Sequence, residues 1–388
     1  MNRKVVWAGA VASAFLLTLS SCGGESGGND EALIGSGSGD SCKIDEAVPV
    51  GAAYSLTGDA GQYGATQKNA LELAAEKLND KGGVKYDVTI EDDQTDPKQA
   101  IQIFEKFVND GTSVILGPTL SNAATQSDPV AQDGKTPVVG VSNTAEGITD
   151  IGDYVFRVSL TEDAVIPQTI KAAIESLDLK DVVVMYSNDD AFTESGYEAM
   201  KKALEENDVD ISETLTFSKD DTDFHAILDK VKGHKPDAIV VSALLEAAVP
   251  LVTQAREIGI EAPIVGGNGF NSPALIKGAG DAADGVIVGA AWNSAAKHEQ
   301  NQQFIDDYEA KFDSQPDQFA AQSYAGLQAI DDAVRKDCDG TREGIKKNLS
   351  NVKDLPTVLG DLSIDKNRDA VQEALVQVIR DGKFELLD

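Results

Sequence analysis

From residue 44 onward, short apolar runs alternate with longer stretches in which apolar side chains recur every third or fourth position. The short runs predict strands at 47–53, 86–91, 113–116, 137–141, 182–186, 211–217, 238–242, 263–266 and 286–291. The longer stretches predict helices at about 63–79, with Ala70, Leu71, Ala74, Ala75 and Leu78 inward, and from Pro97 through Phe107. Further helices are expected from Ser121 toward Pro129 and at 161–177, 192–206, 222–231 and 247–259. Such alternation predicts an α/β protein built on parallel sheets. Residues 155–158 are read as a segment leaving the first group of elements, and 161 opens a second group.

After residue 294 the pattern changes. Helices are expected at 299–312, 317–334 and 341–349, a strand or hairpin at 358–364 and a last strand at 371–380. These pieces have no βα repeat of their own, so they must complete the two earlier sheets. The expected architecture is two discontinuous Rossmann-like lobes, 44–160 plus 294–357 and 161–293 plus 358–388. Crossings near 158–161, 291–294 and 358–361 would leave a cleft between lobes that can close on a small ligand.

The strongest local signal lies at Gly111 to Thr125. An apolar strand is broken by Gly117-Pro118-Thr119, and Ser121 and Asn122 then offer caps for a helix. At the carboxyl end of a parallel strand, first-turn N–H groups with the hydroxyls of Thr119 and Ser121 suit a small carboxylate. An ordinary βα turn would carry the same residues. A second strand-end corner, Ser142-Asn143-Thr144, can converge on the same anion.

Composition adds the setting. Residues 1–21 carry Arg3 and Lys4 ahead of a mostly apolar run too short for a membrane span, and end Leu19-Ser-Ser-Cys22-Gly23. This looks like a lipoprotein signal peptide with Cys22 as the lipidated residue, which would make the chain an exported, membrane-tethered protein. Residues 22–43, rich in Gly, Ser and acid, are expected to form a flexible tether. Loss of residues 1–21 leaves 31 basic against 65 acidic side chains, which argues against nucleic acid and anionic surfaces. Cys42 and Cys338 are a possible disulfide pair in an exported chain. Two cysteines with the scattered His225, His234 and His298 form no metal set, so no metal and no cofactor are expected.

Several motifs follow one another along the chain: Val50-Gly-Ala-Ala-Tyr-Ser-Leu-Thr-Gly58 with Gly64, Asp92-Asp93 with Asp96-Pro97, Ile115-Leu-Gly-Pro118 with Ser121, Ser142-Asn-Thr144 with Ile148-Thr149, and Tyr154-Val-Phe-Arg157. In this order and spacing they resemble the extracytoplasmic solute-binding proteins of branched-chain amino acid ABC transporters. The resemblance implies a type I periplasmic binding fold with three crossovers and an ABC permease as partner. It also implies a carboxylate site at Ser121, Ser142 and Thr144, an aromatic wall at Tyr63, and Phe192 over the ligand side chain. Asn268 departs from it. Relatives that bind α-amino acids place an acid there for the ammonium group, and an amide cannot neutralise a cation. Glu246, Asp189 and Asp190 are the candidate substitutes. If none serves, the ligand is a urea, a short amide or a carboxylic solute. Trp292 is read either as a cleft aromatic or as packing at a hinge.

An enzyme of this fold needs a nucleophile with a base or a cofactor loop. No G-x-G-x-x-G follows a strand, and Ser121 and Ser142 have no evident base. The expected protein is a monomeric binder, either feeding a permease or, alternatively, presenting its ligand to a membrane receptor.

Overall fold

The computed structural model describes residues 30–387. The expected signal peptide and the lipidation position Cys22 lie outside the described residues. Within them, no helix is long and apolar enough to cross a membrane.

The first lobe is built on β1 (Val48–Tyr54), β2 (Tyr86–Asp92), β3 (Val114–Leu116), β4 (Val138–Gly140) and β5 (Val155–Arg157). They form one sheet in the order β2-β1-β3-β4-β5, parallel throughout. β3, β4 and β5 are wholly buried, and β1 nearly so, as expected for strands covered by helices on both faces. Residues 155–157, read from sequence as an outgoing segment, instead complete this sheet; three residues are too short a run to show pairing.

The helices α1 (Gly61–Lys81), α2 (Pro97–Asn109) and α3 (Ser121–Asp133) connect these strands. Gly64 lets α1 press onto the loop after β1: a Cβ there would lie 1.9 Å from the Ser55 carbonyl oxygen.

The second lobe contains β6 (Asp181–Ser187), β7 (Asp210–Phe217), β8 (Ala238–Ser242), β9 (Ile264–Gly266) and β10 (Ile287–Ala290). The helices α4 (Glu162–Leu177), α5 (Ala191–Glu206), α6 (His225–His234), α7 (Leu245–Glu257) and α8 (Pro273–Ala279) accompany them. α8 has only seven residues and leaves little periodicity to read in the sequence. The helices α9 (Glu299–Phe312), α10 (Gln318–Asp337) and α11 (Arg342–Leu349) return to the first lobe, where α10 lies along α1.

The chain end differs from expectation. β11 (Leu355–Thr357), β12 (Gly360–Ile364) and β13 (Ala370–Val371) make a small antiparallel sheet. Leu362, Ile364, Ala370 and Ala374 join the first-lobe core, so residues 358–374 belong to that lobe and the third crossing falls near residues 372–375. Only β14 (Leu375–Arg380) and β15 (Lys383–Leu386) enter the second sheet, whose order is β15-β14-β10-β9-β8-β6-β7. Both are antiparallel additions to an otherwise parallel sheet. The strand expected at 371–380 is divided between the end of β13 and β14, and the hairpin turn at Asp381-Gly382, with φ of 48° and 71°, adds β15 beyond it.

Residues 30–43 also depart from a flexible tether. They form two short 3-10 turns at Asp30–Leu33 and Gly39–Ser41, bridge Ile34 to Asp339, and bury Leu33. Cys42 and Cys338 are disulfide-bonded, which holds this segment to the carboxyl end of α10. The possible Cys42–Cys338 pair is bonded, whereas the Gly- and Ser-rich composition concealed the apolar anchor Leu33.

Candidate interlobe binding site

Each main sheet reverses its strand order once, between β1 and β3 in the first lobe and between β6 and β8 in the second. Loops leaving neighbouring strands there diverge to opposite faces and open a crevice at the strand ends. The two crevices face each other. One presents Ser55 and residues 119–122, the other Asp190, Phe192 and Leu244.

The lobes touch across this seam. Tyr63 on α1 reaches over with its hydroxyl, accepting from Leu245 N–H (2.9 Å) and donating to the Gly269 carbonyl (3.0 Å). Asn122 donates to Asp190 Oδ2 (2.7 Å) and accepts from Ala191 N–H (2.8 Å). Tyr63, Thr119, Leu120, Ser121, Ser142, Phe192, Leu244, Gly269 and Phe319 enclose an inner cavity of only about 20 Å³. That is room for about one water, so a larger solute can enter only as the lobes part. Leu120 and Leu244 also line a wider outer cavity of about 200 Å³ with Asp59, Asn122, Asp190, Lys219 and Glu246.

The hydroxyls at the two strand-end corners are not equivalent. Thr119 accepts from Ser55 N–H and donates to Gln67 Oε1. Ser142 accepts from Gln67 Nε2 and donates to the Thr119 carbonyl. Their protons are committed inside the first lobe. Ser121 Oγ accepts from the N–H groups of Thr144 and Ala145, both at 3.2 Å, which leaves its own proton to donate to a ligand. Ser121 also begins α3, whose amino-terminal dipole adds to the pull on an anion. Asn143 is not part of the cavity: it is 1% exposed and donates to the Pro118 carbonyl, bracing one corner on the other.

Thr144 points its hydroxyl elsewhere, donating to Glu162 Oε1 (2.9 Å). Glu162 opens α4, is 1% exposed, and accepts a second bond on the same oxygen from Asn268 Nδ2 (2.7 Å). Its Oε2 is buried without a hydrogen-bond partner. Burial pushes this carboxyl up to about 7, against the bonds from Asn268 and Thr144 and the charge of Arg157. An acid therefore does stand beside position 268, and it comes from the first crossing. Of the three expected substitutes, Glu246 lines the outer cavity and has an unpartnered buried Oε2. Asp190 is committed to Asn122 and to Thr193 N–H, and Asp189 to Ser218 and Lys219 N–H.

Glu162 escaped the sequence reading because Thr161-Glu162-Asp163 looks like an ordinary helix start, cap and dipole-matching acids included. Phe319, packed 4.4 Å from the Tyr63 ring, lies in the helix expected at 317–334, to which the sequence reading assigned no site residue. Trp292 resolves as hinge packing: its indole N–H donates to Asn301 and its ring meets Phe304 edge-on, outside the inner cavity. His225 and His234 sit in exposed pairs with Asp223 and Glu213, His298 caps α9, and no metal-binding cluster occurs among the described residues.

Comparison with known proteins agrees with this geometry. The sequence pattern of the periplasmic binding protein family matches residues 47–383. The leucine-, isoleucine-, valine-, threonine- and alanine-binding protein of Pseudomonas aeruginosa is 26% identical over 329 residues, 84% of this chain and 87% of that one. The branched-chain amino acid transporter substrate binding protein LivJ from Streptococcus pneumoniae, solved with isoleucine, is 28% identical with a TM-score of 0.82, covering 88% of this chain and 98% of its own. A solute binding protein of an ABC transporter from Rhodopseudomonas palustris, solved with 3,4-dihydroxybenzoic acid, has the same fold at 24% identity and TM-score 0.81, over 87% and 95% of the chains. Two lobes of the predicted type, a cleft at their switch points and a match across nearly the whole folded chain assign this protein to the periplasmic binding protein family.

Proposed function

We propose that the protein captures an aliphatic α-amino acid in the interlobe cleft outside the cytoplasm and delivers it to an ABC permease. The observation that carries the amino-acid reading is the pairing made by Thr144. Its N–H holds the hydroxyl of Ser121, which has a free proton for a carboxylate, and its own hydroxyl holds Glu162, whose unpartnered Oε2 suits an ammonium group. A zwitterion would meet Ser121 at one end and Glu162 at the other once the lobes part around it. The cation would hold Glu162 ionised, and the aromatic rings of Tyr63, Phe192 and Phe319 supply the wall for an apolar side chain. Closure around the solute is the state a permease would read, with the binding protein acting as a monomer and without catalysis. In this reading Cys22 carries the lipid that keeps the protein at the membrane.

The test is calorimetry on the chain from residue 23 with leucine, isoleucine, valine, alanine, glutamate, urea and short amides. The expected result is saturable binding of an aliphatic amino acid, weakened about tenfold or more by Glu162→Gln, the cost of one charged bond. Binding of only a carboxylate or amide, indifferent to Glu162→Gln, would replace this reading with the carboxylic or amide solute. The 3,4-dihydroxybenzoic acid bound by the Rhodopseudomonas relative supports that second reading, because it has no ammonium group. A receptor in place of the permease would leave these affinities unchanged and is separated by reconstituting transport.

A further inference from the structure

Behind Glu162, five buried side-chain amides are bonded in series. Asn293, Gln377, Asn271, Gln318 and Asn268 are each at most 4% exposed. Ala295 N–H donates to Asn293 Oδ1 (2.6 Å), Asn293 Nδ2 to Gln377 Oε1 (2.5 Å), and Gln377 Nε2 to Asn271 Oδ1 (2.5 Å). Asn271 Nδ2 then donates to Gln318 Oε1 (2.8 Å), Gln318 Nε2 to Asn268 Oδ1 (3.2 Å), and Asn268 Nδ2 to Glu162 Oε1 (2.7 Å). Every amide donates in the same sense, toward the carboxylate.

The main chain locks that sense. An amide can turn end for end, whereas a peptide group cannot. Ala295 N–H demands an oxygen from Asn293, and Ala291 N–H (2.6 Å) demands one from Gln318. The Trp292 carbonyl (3.1 Å) demands the NH2 of Asn271. Gln377 is held between a donor and an acceptor so fixed, and Asn268 between Gln318 and the acid. The series runs from the second crossing at 291–295, through β14 beyond the third, to the first crossing at Glu162, and Gln318 lies on the first-lobe helix α10.

We propose that this directed amide series is the positioning device for Glu162: it presents its last donor to Oε1, leaves Oε2 without one, and so sets the preference of the cleft for a solute with a cationic group. The proposal rests on the reading that Glu162 meets the solute. Bonds aligned head to tail polarise one another, and a donor at its end favours the ionised acid. The other groups that act on Glu162 are Thr144, Arg157 and Asp163.

Gln377→Glu tests it at a distance. A carboxylate there offers only acceptors, so it sets an oxygen against the Asn271 oxygen, which the Trp292 carbonyl holds in place, and breaks the series at that joint. Gln318→Met breaks the series without adding charge. Asp317 and Lys383, which line the cavity at Gln377, are untouched by both. The measurement is the carbon-13 titration of the Glu162 carboxyl in the solute-free chain, assigned with Glu162→Gln, alongside leucine affinity against pH and a melting curve for each variant. The expected midpoint rises by about one pH unit or more in both variants. Leucine affinity at pH 7 falls about tenfold and returns as the pH passes the new midpoint. An unshifted midpoint in a folded Gln318→Met protein overturns the proposal, even if Gln377→Glu does not fold. Loss of binding in Glu162→Gln with unshifted midpoints overturns the amide series alone. Full leucine binding by Glu162→Gln overturns it together with the reading beneath it.

Discussion

Ser121 and Glu162 show how little of a binding site depends on residue type and how much on what each atom is already doing. Thr119, Ser121 and Ser142 are equally plausible hydroxyls in the sequence, yet only Ser121 has a proton uncommitted by the bonds around it. Ser121→Ala is therefore expected to weaken a carboxylate solute about tenfold or more, read by calorimetry, whereas the solute-free fold persists. Buried carboxyls should also mark the pH dependence of stability, among them Asp128, which burial holds well above the usual carboxylate range. Burial first of all pushes Glu162 and Glu246 up to about 7 from 4.5, and Asp317 up to about 6 from 3.8. A carboxyl raised in the fold binds its proton more tightly folded than unfolded. The resulting stability is full below the unfolded value and is lost as pH rises through the folded one. The solute-free protein should lose melting temperature, on the order of a few degrees, between about pH 4.5 and 7. Glu246→Gln should flatten part of that slope, and a solute whose cation keeps Glu162 ionised should flatten more. A melting temperature that rises across this window would refute the assignment.

Among the elements, the helices with clear periodicity and a stop signal were legible: α9 and α11 fall within a residue of expectation, and α2 begins at Pro97 as anticipated, with Asp96 as its cap. The elements that were not legible are short or owe their existence to a partner. β5 is a three-residue strand defined by pairing with β4, and β13 to β15 are defined by which sheet they reach. The amino-terminal segment is the clearest case, since its composition is that of a tether. Its docking comes from Leu33, the backbone bridge to Asp339 and the disulfide to the end of α10. The bond closes a separation of 296 residues, within the first lobe and away from the cleft. Reduction, or Cys42→Ala with Cys338→Ala, should cost about 2–4 kcal/mol of stability. Leucine affinity of the folded, reduced protein should stay unchanged; a large affinity loss would place the segment in the closure mechanism instead.

Across the whole molecule, the closed seam is held by few direct bonds, of which Tyr63 makes two, on Leu245 and Gly269. Tyr63→Phe leaves both backbone groups without that partner and should shift the solute-free population toward separated lobes by about 1–3 kcal/mol. Small-angle scattering should then show a larger radius of gyration without solute and recovery of the compact form at saturating leucine. No change in the solute-free radius would mean that other contacts dominate the seam. A solute bound only between closed lobes should also raise the melting temperature in proportion to the logarithm of its concentration.

Hydrophobic periodicity by itself determined the α/β class, the two lobes and the strand-end corners of the first lobe, because those follow from local spacing and turn chemistry that each segment carries alone. Tertiary structure decided what pairing across distant segments must decide. It brought residues 358–374 into the first lobe, set β14 antiparallel on β10 and β15 antiparallel on β14, and docked residues 30–43. It also decided the chemistry of the cleft. Glu162 and Asn268 are 106 residues apart in sequence and 2.7 Å apart in space. An amide at 268 is a missing acid when read along the chain; in the fold it is the donor that steadies an acid from another crossing.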